Sequence, residues 1–477
     1  MINVEQIKIF FFIAQYRFRN ILFLLVHVVI SLMTTLHILR EKRYKETGLA
    51  WVALIWFSPF FGSFLYWLLG INRIYRQAKI QNIQRRFVQN DIIQDVGADK
   101  LQRYAQKTTQ QSLTQGNHIE ILDTIMLATQ SMCKNIDQAQ SVITLCTYIF
   151  DADAMGTEIV AALERAKKRG VKIYILIDAV GARHTSHPII GLLKKHKFNV
   201  ALFLPSLIPW RAKYFNLRNH RKTLIIDQQT AYTGGMNIRS GISQKTQQPI
   251  LQDIHFCIQG PVVDQIQQTF YEDWLFTTGE NLEDVFTHVS HQVSGYTMAR
   301  AIRDGPDEDF DTLRSIFIAA LSSANKSIRI VTPYFLPDAH ILDLLCISAA
   351  SGVLVEVIVP KTNNAKIMQW SSKIPLSHLA KNGCAIYETP APFDHSKLFL
   401  IDDDVAFLGS SNWDERSFTL NFELNIECYD MHLVKKLHQI IDQKITQATA
   451  FSDEAYAKTS VLMQYRDLFM HLFREYL

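Results

Sequence analysis

The sequence has no Cys-x-x-Cys pair. Its six cysteines, at 133, 146, 257, 346, 384 and 428, are scattered and form no zinc-like grouping with histidine. That excludes a disulfide framework or a structural zinc site and leaves them as reduced, buried core residues, which suits catalytic domains facing a reducing cytosol. Strong charge of one sign is also missing. A formal net charge of +4 over 477 residues argues against a general nucleic-acid binder, while leaving room for a local basic surface. No low-complexity tract occurs, and 48% hydrophobic with 20% charged residues is the composition of a chain that folds throughout. The length is too great for one ordinary core, so two catalytic-size domains plus an accessory segment are expected.

What is there begins with two long runs free of charge, ILFLLVHVVISLMTTLHIL at 21–39 and LAWVALIWFSPFFGSFLYWLLGI at 49–71. At 19 and 23 residues each is long enough to cross a bilayer, and aromatic residues mark the ends of the second, with Pro59 a candidate kink. The seven-residue REKRYKE between them has no room for a domain, so the pair reads as a hairpin with both ends on one side. Lys8, Arg17 and Arg19 before it, with Arg73, Arg76, Lys79, Arg85 and Arg86 after it, outnumber the four basic residues of the loop. Both ends are therefore expected on the cytoplasmic side. The competing readings are a cleaved signal peptide and a pair of buried core helices.

From about residue 140 the chain repeats itself. SVITLCTYIFDADAMGTEIVAALERAKKRGVKIYILID aligns with SIRIVTPYFLPDAHILDLLCISAASGVLVEVIVP, each running strand, turn, helix, glycine, strand, the pattern of a βαβ unit on a parallel sheet. Further on, NHRKTLIIDQQTAYTGGMNIRS aligns with DHSKLFLIDDDVAFLGSSNWDERS. His220 and His395, Lys222 and Lys397, Asp227 and Asp402, Gly234 and Gly409, and Asn237 and Asn412 all stand at one offset of 175. A constant offset over both blocks argues for duplication, and a repeat this long suggests two similar α/β domains facing across a cleft. The segment around 280–310, with Arg-Asp-Gly-Pro at 303–306, reads as the linker.

Apolar runs make each motif a strand, so His and Lys, two apart, project from one face. The odd offset from Lys puts Asp227 and Asp402 on the opposite face or in the following turn, which assigns them to holding local structure. A neutral imidazole can attack phosphorus to give a phosphohistidine while a second, protonated imidazole donates to the departing alkoxide. Two histidines thus fill two roles without a metal, and pKa values near 6.5 let them hold opposite protonation states at neutral pH. Lys222, Lys397, Asn237 and Asn412 are the donors available to the non-bridging oxygens. Each histidine also needs a carboxylate on its other ring nitrogen, for which Asp253 and Glu423, some thirty residues downstream in the two halves, are the candidates. A single His-x-Lys-x4-Asp on a strand is commonly only structural. Two copies with matching Gly, Asn and βαβ lead-ins point to catalysis.

On these residues the sequence resembles the phospholipase D superfamily and, over essentially its whole length, the bacterial cardiolipin synthases. NHRKTLIID with TGGMN and HSKLFLIDD with GSSNWDERSFTLNFELN resemble the two motif blocks, DGPD and TPYFLPD the start of the second domain, and the hairpin with LLGINRIYRQA the anchor of membrane-bound members. The resemblance implies a mixed α/β architecture: an anchor with two transmembrane helices at 1–90, a first phospholipase D-like domain at 91–290 and a second at 291–477. It also implies a cofactor-free phosphatidyltransferase of the bacterial inner membrane that joins two phospholipids and releases a glycerol headgroup. Phosphatidylglycerol is the implied substrate, with phosphatidylethanolamine as an alternative partner. His220, Lys222, Asp227, His395, Lys397 and Asp402 match the family's active-site motif, and His220 is the implied nucleophile. One departure stands out. Where the family has Trp-Arg-Asp-x-His, this chain has Leu251, Gln252, Asp253 and His255, so the basic neighbour is missing and a different headgroup or acceptor contact is left open.

Between the first βαβ unit and His220 lie Lys194, Lys195, Lys197, Arg211, Lys213, Arg218 and Arg221, interleaved with Trp210, Tyr214 and Phe215. That mixture suits anionic lipid headgroups, although a solvated face explains the Lys194 cluster equally well. At the C-terminus Leu462, Tyr465, Leu468, Phe469, Leu472 and Tyr476 trace one helical stripe, expected to pack against the second domain in preference to lying on a membrane. The same two-histidine chemistry serves hydrolytic phospholipases and some nucleases. The anchor argues against DNA, and an inactive membrane scaffold would not be expected to keep both motifs.

Overall fold

β-branched and leucine-rich runs supply the buried strands, and polar caps start the helices between them. Val142–Thr147 and Lys172–Asp178 pair in parallel around the helix Ala154–Lys168, and Ser327–Val331 and Leu354–Pro360 do the same around Ala339–Ala350. Asp153 and Asp338 cap those two helices, accepting from the backbone N–H of Gly156 and His340. Both expected βαβ units are therefore present. The structure is a computed structural model that describes residues 4–41, 45–58, 60–70, 99–183, 189–205, 216–243, 246, 248–286, 289–307 and 309–474. It divides into two compact units, Met1–Asn72 with Ser206–Asn216, and Arg73–Pro205 with Leu217–Leu477.

In the larger unit one 16-stranded sheet runs through both halves of the repeat. Outward from its centre, the first half lays down Thr114–Leu122, His255–Gln259, Thr230–Gly234, Thr223–Ile226, Val142–Thr147, Lys172–Asp178 and Asn199–Phe203. The second half answers in the same order with Thr297–Asp304, Asn421–Tyr429, Val405–Gly409, Leu398–Ile401, Ser327–Val331, Leu354–Pro360 and Ala385–Thr389. The two series meet where Thr114–Leu122 and Thr297–Asp304 pair antiparallel, with Thr114 opposite Ala299.

This corrects the expected division in two places. Thr297–Asp304, read as part of the linker, is a central strand bonded on both edges. Its sequence TMARAIRD carries two arginines, but Arg300 donates to Glu427 at 2.8 Å and Arg303 to Glu272 at 2.6 Å, so both charges go into the core already paired. The helix Lys100–Thr109, placed by sequence in the first domain, packs on Thr312–Ser323 and lends Leu101 and Ala105 to the second half's core. The two phospholipase D-like domains are thus joined edge to edge through one continuous sheet.

In the smaller unit one helix, Val4–Glu41, contains a 31-residue stretch, Phe10–Arg40, which among the described residues is alone in being long and apolar enough to cross a membrane. The second apolar run is interrupted: helix Lys45–Phe57 ends, residue Phe60 takes a positive φ of 63°, and a short helix Phe61–Leu65 leads into a π-helical turn Tyr66–Gly70. The interruption flanks position 59, which with the basic residues at 73–86 lies outside the described residues. Side-chain polar groups tie the runs together, His37 Nδ1 lying 2.8 Å from the Tyr66 hydroxyl and Trp56 Nε1 donating to Thr35 at 3.1 Å.

The C-terminal stripe is also corrected. Helix Val461–His471 does pack on helix Lys366–Lys381, but Asp467 is its buried residue, while Leu462 is 81%, Tyr465 66% and Leu472 73% exposed. Tyr476 lies outside the described residues.

Asp227 and Asp402 end the motif strands in left-handed conformation, each with φ of 50°. Asp227 accepts from the backbone N–H of Gln140, Ser141 and Val142, and Asp402 from Asn325, Lys326 and Ser327. Each aspartate thus staples the motif strand to the start of its βαβ unit, as the odd offset indicated, and stands away from the cavity described below. Asp402→Ala should lower unfolding free energy by about 1–3 kcal/mol, read as an earlier denaturant midpoint, with activity lost only as folded protein is lost. Unchanged stability with abolished turnover would return the residue to the chemistry.

Candidate active site

Strands Thr223–Ile226 and Leu398–Ile401 are wholly buried and hold His220 and His395 at their N-terminal ends. Each histidine backbone is docked on the other half of the repeat. Arg218–Asn219 pairs with Asn421 and Phe422, and His220 N–H donates to the Phe422 carbonyl at 2.9 Å. Phe393–Asp394 pairs with Leu251 and Gln252, and His395 N–H donates to the Gln252 carbonyl at 2.8 Å. The next residue along each receiving strand is the carboxylate. His220 Nδ1 lies 2.8 Å from Glu423 Oε1, and His395 Nδ1 lies 2.8 Å from Asp253 Oδ2. Sequence spacing identified both carboxylates but set each in its own half. The pairing is crossed.

With Nδ1–H donating to a carboxylate, Nε2 is left as the free lone pair. Glu423 also accepts from Ser410 Oγ at 2.5 Å and from Asn421 Nδ2 at 3.2 Å. In the first half Gly235 occupies the position of Ser410, and a Cβ there would stand 2.3 Å from Asp253 Oδ1, so glycine is what lets that carboxylate approach.

Both histidines line one cavity of about 710 Å³, together with Asn237, Asn412, Tyr148, Tyr334, Arg218, Arg239, Arg416 and Asp414. Tyr148 lies edge-on to His220 with ring centroids 5.4 Å apart, and Tyr334 stands 6.4 Å from His395. Asn237 Oδ1 accepts from Ile149 N–H at 3.2 Å, whereas Asn412 Oδ1 is buried without a hydrogen-bond partner among the described residues. Lys222 and Lys397 donate to the backbone carbonyls of His220 and His395 at 2.7 and 2.8 Å, and Lys397 Nζ also lies 3.3 Å from His395 Nε2.

Burial dominates the electrostatics. It pulls His220 down to about 4, against the opposing pull of Glu423 and with help from the Lys222 charge. His395 is lowered too, by burial and then by Lys397. Burial also brings Lys222 down to about 7 and Lys397 to about 8, although Glu423 and Asp253 respectively oppose it. For Glu423, burial pushes the carboxyl up, but His220, Lys222 and Ser410 together outweigh it and hold it at about 2. The site therefore holds neutral imidazoles, with the ionised Glu423 carboxylate beside His220, and the charge of a bound phosphodiester would favour protonating one of them.

Of the basic stretch before the first motif, Arg218 reaches the cavity. Arg221 is structural, donating to Asp273 at 2.6 Å and to the Glu423 carbonyl at 3.0 Å. Lys194, Lys195 and Lys197 are exposed and not part of the lining, and residues 210, 211 and 213–215 lie outside the described residues. Sequence reading missed Tyr148, Tyr334, Arg239, Asp414 and Arg416. The tyrosines were findable, since they occupy matching places in the aligned lead-ins SVITLCTY and SIRIVTPY.

The chain is similar to known proteins over most of its length. The family described as cardiolipin synthase, PLD-like domain, matches residues 132–274 and 317–445, and the phospholipase D-nuclease N-terminal family matches 29–70. This chain belongs to the cardiolipin synthase family. Cardiolipin synthase 2 of Staphylococcus epidermidis is 30% identical, covering 94% of this chain and 96% of its own length. The major cardiolipin synthase ClsA of Bacillus subtilis is 27% identical over 94% and 97%. Among solved structures, phosphatidylserine synthase of Haemophilus influenzae shares the fold, with a TM-score of 0.62 at 13% identity, covering 80% of this chain and 100% of that one.

Two outcomes follow for this member of the cardiolipin synthase family. Glu423→Gln and Asp253→Asn should each lower kcat by about 100-fold or more, because the amide no longer fixes the tautomer of the histidine it faces; wild-type turnover in either variant would remove the crossed pairs from the chemistry. The lysines are charged below their pKa values and lose charge above them, so kcat/KM should fall on the alkaline side between about pH 7 and 8. Lys222→Arg should carry that limb to higher pH, and a limb that stays in place would mean Lys222 is not the group titrating.

Proposed function

We propose that this protein transfers a phosphatidyl group from one phospholipid to the headgroup alcohol of another, forming cardiolipin from two molecules of phosphatidylglycerol and releasing glycerol. The observation that carries the reading is the single cavity into which both histidines open, each oriented by a carboxylate of the opposite half. The proteins it resembles over nearly their full length are cardiolipin synthases.

In this reading His220 Nε2 attacks phosphorus and the P–O bond to the glycerol headgroup breaks. His395, protonated when the anionic lipid binds, gives its proton to the departing oxygen. The phosphatidyl group now rests on His220. The hydroxyl of a second phosphatidylglycerol enters, His395 takes its proton, and the new P–O bond forms as the P–N bond breaks. Asn237 and Asn412, with the charges of Lys222 and Lys397, oppose the build-up on the non-bridging oxygens. Arg218, Arg239 and Arg416 give anionic headgroups a cationic lining. Phosphatidylethanolamine is the alternative lipid partner, its role decided by the same product analysis.

The apolar helix supports membrane association. We further infer that the second run also crosses, so that the anchor is a two-span hairpin and the catalytic unit works at the cytoplasmic face, where the basic residues flanking the hairpin would be retained.

Labelled phosphatidylglycerol supplied to membranes containing the protein should yield labelled cardiolipin and free glycerol, followed by mass spectrometry. His220→Ala or His395→Ala should reduce this by about 10²–10⁴-fold. Full activity in either variant overturns the two-histidine assignment, and phosphatidic acid as sole product identifies water as the acceptor and the protein as a hydrolase.

A further inference from the structure

The C-terminal helix Val461–His471 is held to the body of the protein by its polar side. Asp467 is buried and accepts from the Tyr456 hydroxyl at 3.2 Å, His471 Nδ1 sits 3.2 Å from the Ser371 carbonyl, and Arg474 pairs with Glu415 at 2.9 Å. Arg466 stacks over Trp370 with 4.5 Å to the ring centroid. The opposite side carries the large apolar residues: Leu462, Tyr465, Leu468, Phe469, Leu472 and Phe473 are all exposed. An apolar patch of this extent on a helix anchored through polar contacts is not a packing remnant and marks a surface with a partner.

Its position says what the partner is. Helix Lys366–Lys381, on which it packs, begins at the mouth of the catalytic cavity, with Met368 in the lining and Ile367 exposed beside it. Glu415, the partner of Arg474, stands between Asp414 and Arg416, both of which line the same cavity. Between the two helices runs an open groove of about 440 Å³, with Ile374, Val461 and Leu468 along it and His378 and Lys381 among its polar lining. Lys361, Lys366 and Lys458 are exposed around the pair, where the exposed Glu454 lies near Lys458 in sequence and Asp453 pairs with Lys381 at 3.5 Å, so that lysine outnumbers acid on this rim. A second copy of the chain would bring that positive rim against itself, whereas a bilayer rich in anionic phospholipid complements both the lysines and the apolar face.

We propose that this helix pair is a bilayer-docking surface: the exposed face of Val461–His471 lies in the interface of an anionic phospholipid membrane and sets the cavity mouth against the lipid. This rests on the reading of the cavity as a phospholipid site, and it adds a second membrane contact independent of the apolar N-terminal helix. Docking lets a headgroup enter the cavity while its acyl chains stay in the bilayer.

The test uses the full-length chain reconstituted in phosphatidylglycerol vesicles, with an environment-sensitive fluorophore on Leu472→Cys in a Cys346→Ser background. Brominated acyl chains should quench the probe to about half its intensity or less. A probe that reports water and is not quenched overturns the proposal, as does one shielded by a protein dimer that Leu468→Glu breaks apart. As a second measurement, Leu468→Glu with Leu472→Glu should lower the ratio of turnover on bilayer phosphatidylglycerol to turnover on its monomeric short-chain form by about tenfold; equal loss on both forms, or no loss, counts against docking. A quenched probe in a protein that makes no cardiolipin would instead sink the functional reading and leave the docking surface standing.

Discussion

The structure depends on a contact made twice, in which the strand carrying a carboxylate in one half receives the backbone of the histidine from the other. Because Arg218–Asn219 is hydrogen-bonded alongside Asn421 and Phe422, Glu423 comes within 2.8 Å of His220. Because Phe393–Asp394 is bonded alongside Leu251 and Gln252, Asp253 reaches His395 at the same distance. Backbone pairing fixes register, and register fixes where a side chain can reach. Neither half can orient its own histidine, so duplication here is a condition of the site and not redundancy.

The continuous sheet serves that condition. Two domains joined by a flexible linker would move against each other, and a histidine–carboxylate hydrogen bond tolerates little displacement. Pairing Thr114–Leu122 with Thr297–Asp304 removes that freedom, and buried charges reinforce it across the halves: Arg303 pairs with Glu272, and Arg221, itself paired with Asp273 within the first half, donates its Nε to the Glu423 carbonyl. Such pairs contribute less to net stability than to geometry, since desolvation offsets much of their attraction. Their value lies in the alternatives they make costly. Any other placement of the halves would leave charges buried and unpaired.

What could be read in the sequence was what obeys local rules. Periodicity located both βαβ units, the constant offset located both histidines, and the alternation of side chains along a strand separated the lysines, which face with the histidines, from Asp227 and Asp402, which staple a turn. What could not be read depended on partners distant in the chain. TMARAIRD reads as part of a linker until Glu427 and Glu272 are known to await its arginines. Helix Lys100–Thr109 looks like part of the first half because it precedes it. The crossing of Asp253 and Glu423 is invisible to spacing, since both arrangements use the same residues at the same separation. The apolar stripe of the last helix was legible as a stripe, but its direction was set by Asp467, whose burial turns the stripe outward.

The symmetry of the site also has to fail, and it does so in particular places. A relay needs one imidazole to form a bond to phosphorus while the other carries a proton, and two identical environments would give each role to each histidine equally. At the shared offset of 175, Arg218 is answered by Phe393, Arg239 by Asp414 and Gly235 by Ser410. His395 lies beside Phe393 and the close ammonium of Lys397, whereas His220 has a carboxylate backed by the Ser410 hydroxyl. Burial pushes Asp414 up to about 6, with only partial relief from the Ser417 backbone and hydroxyl, while its counterpart Arg239 is paired with Asp151 at 2.6 Å. The duplicated frame supplies two matched imidazoles, and the residues that broke ranks around them give each different surroundings, as the proposed directional transfer requires.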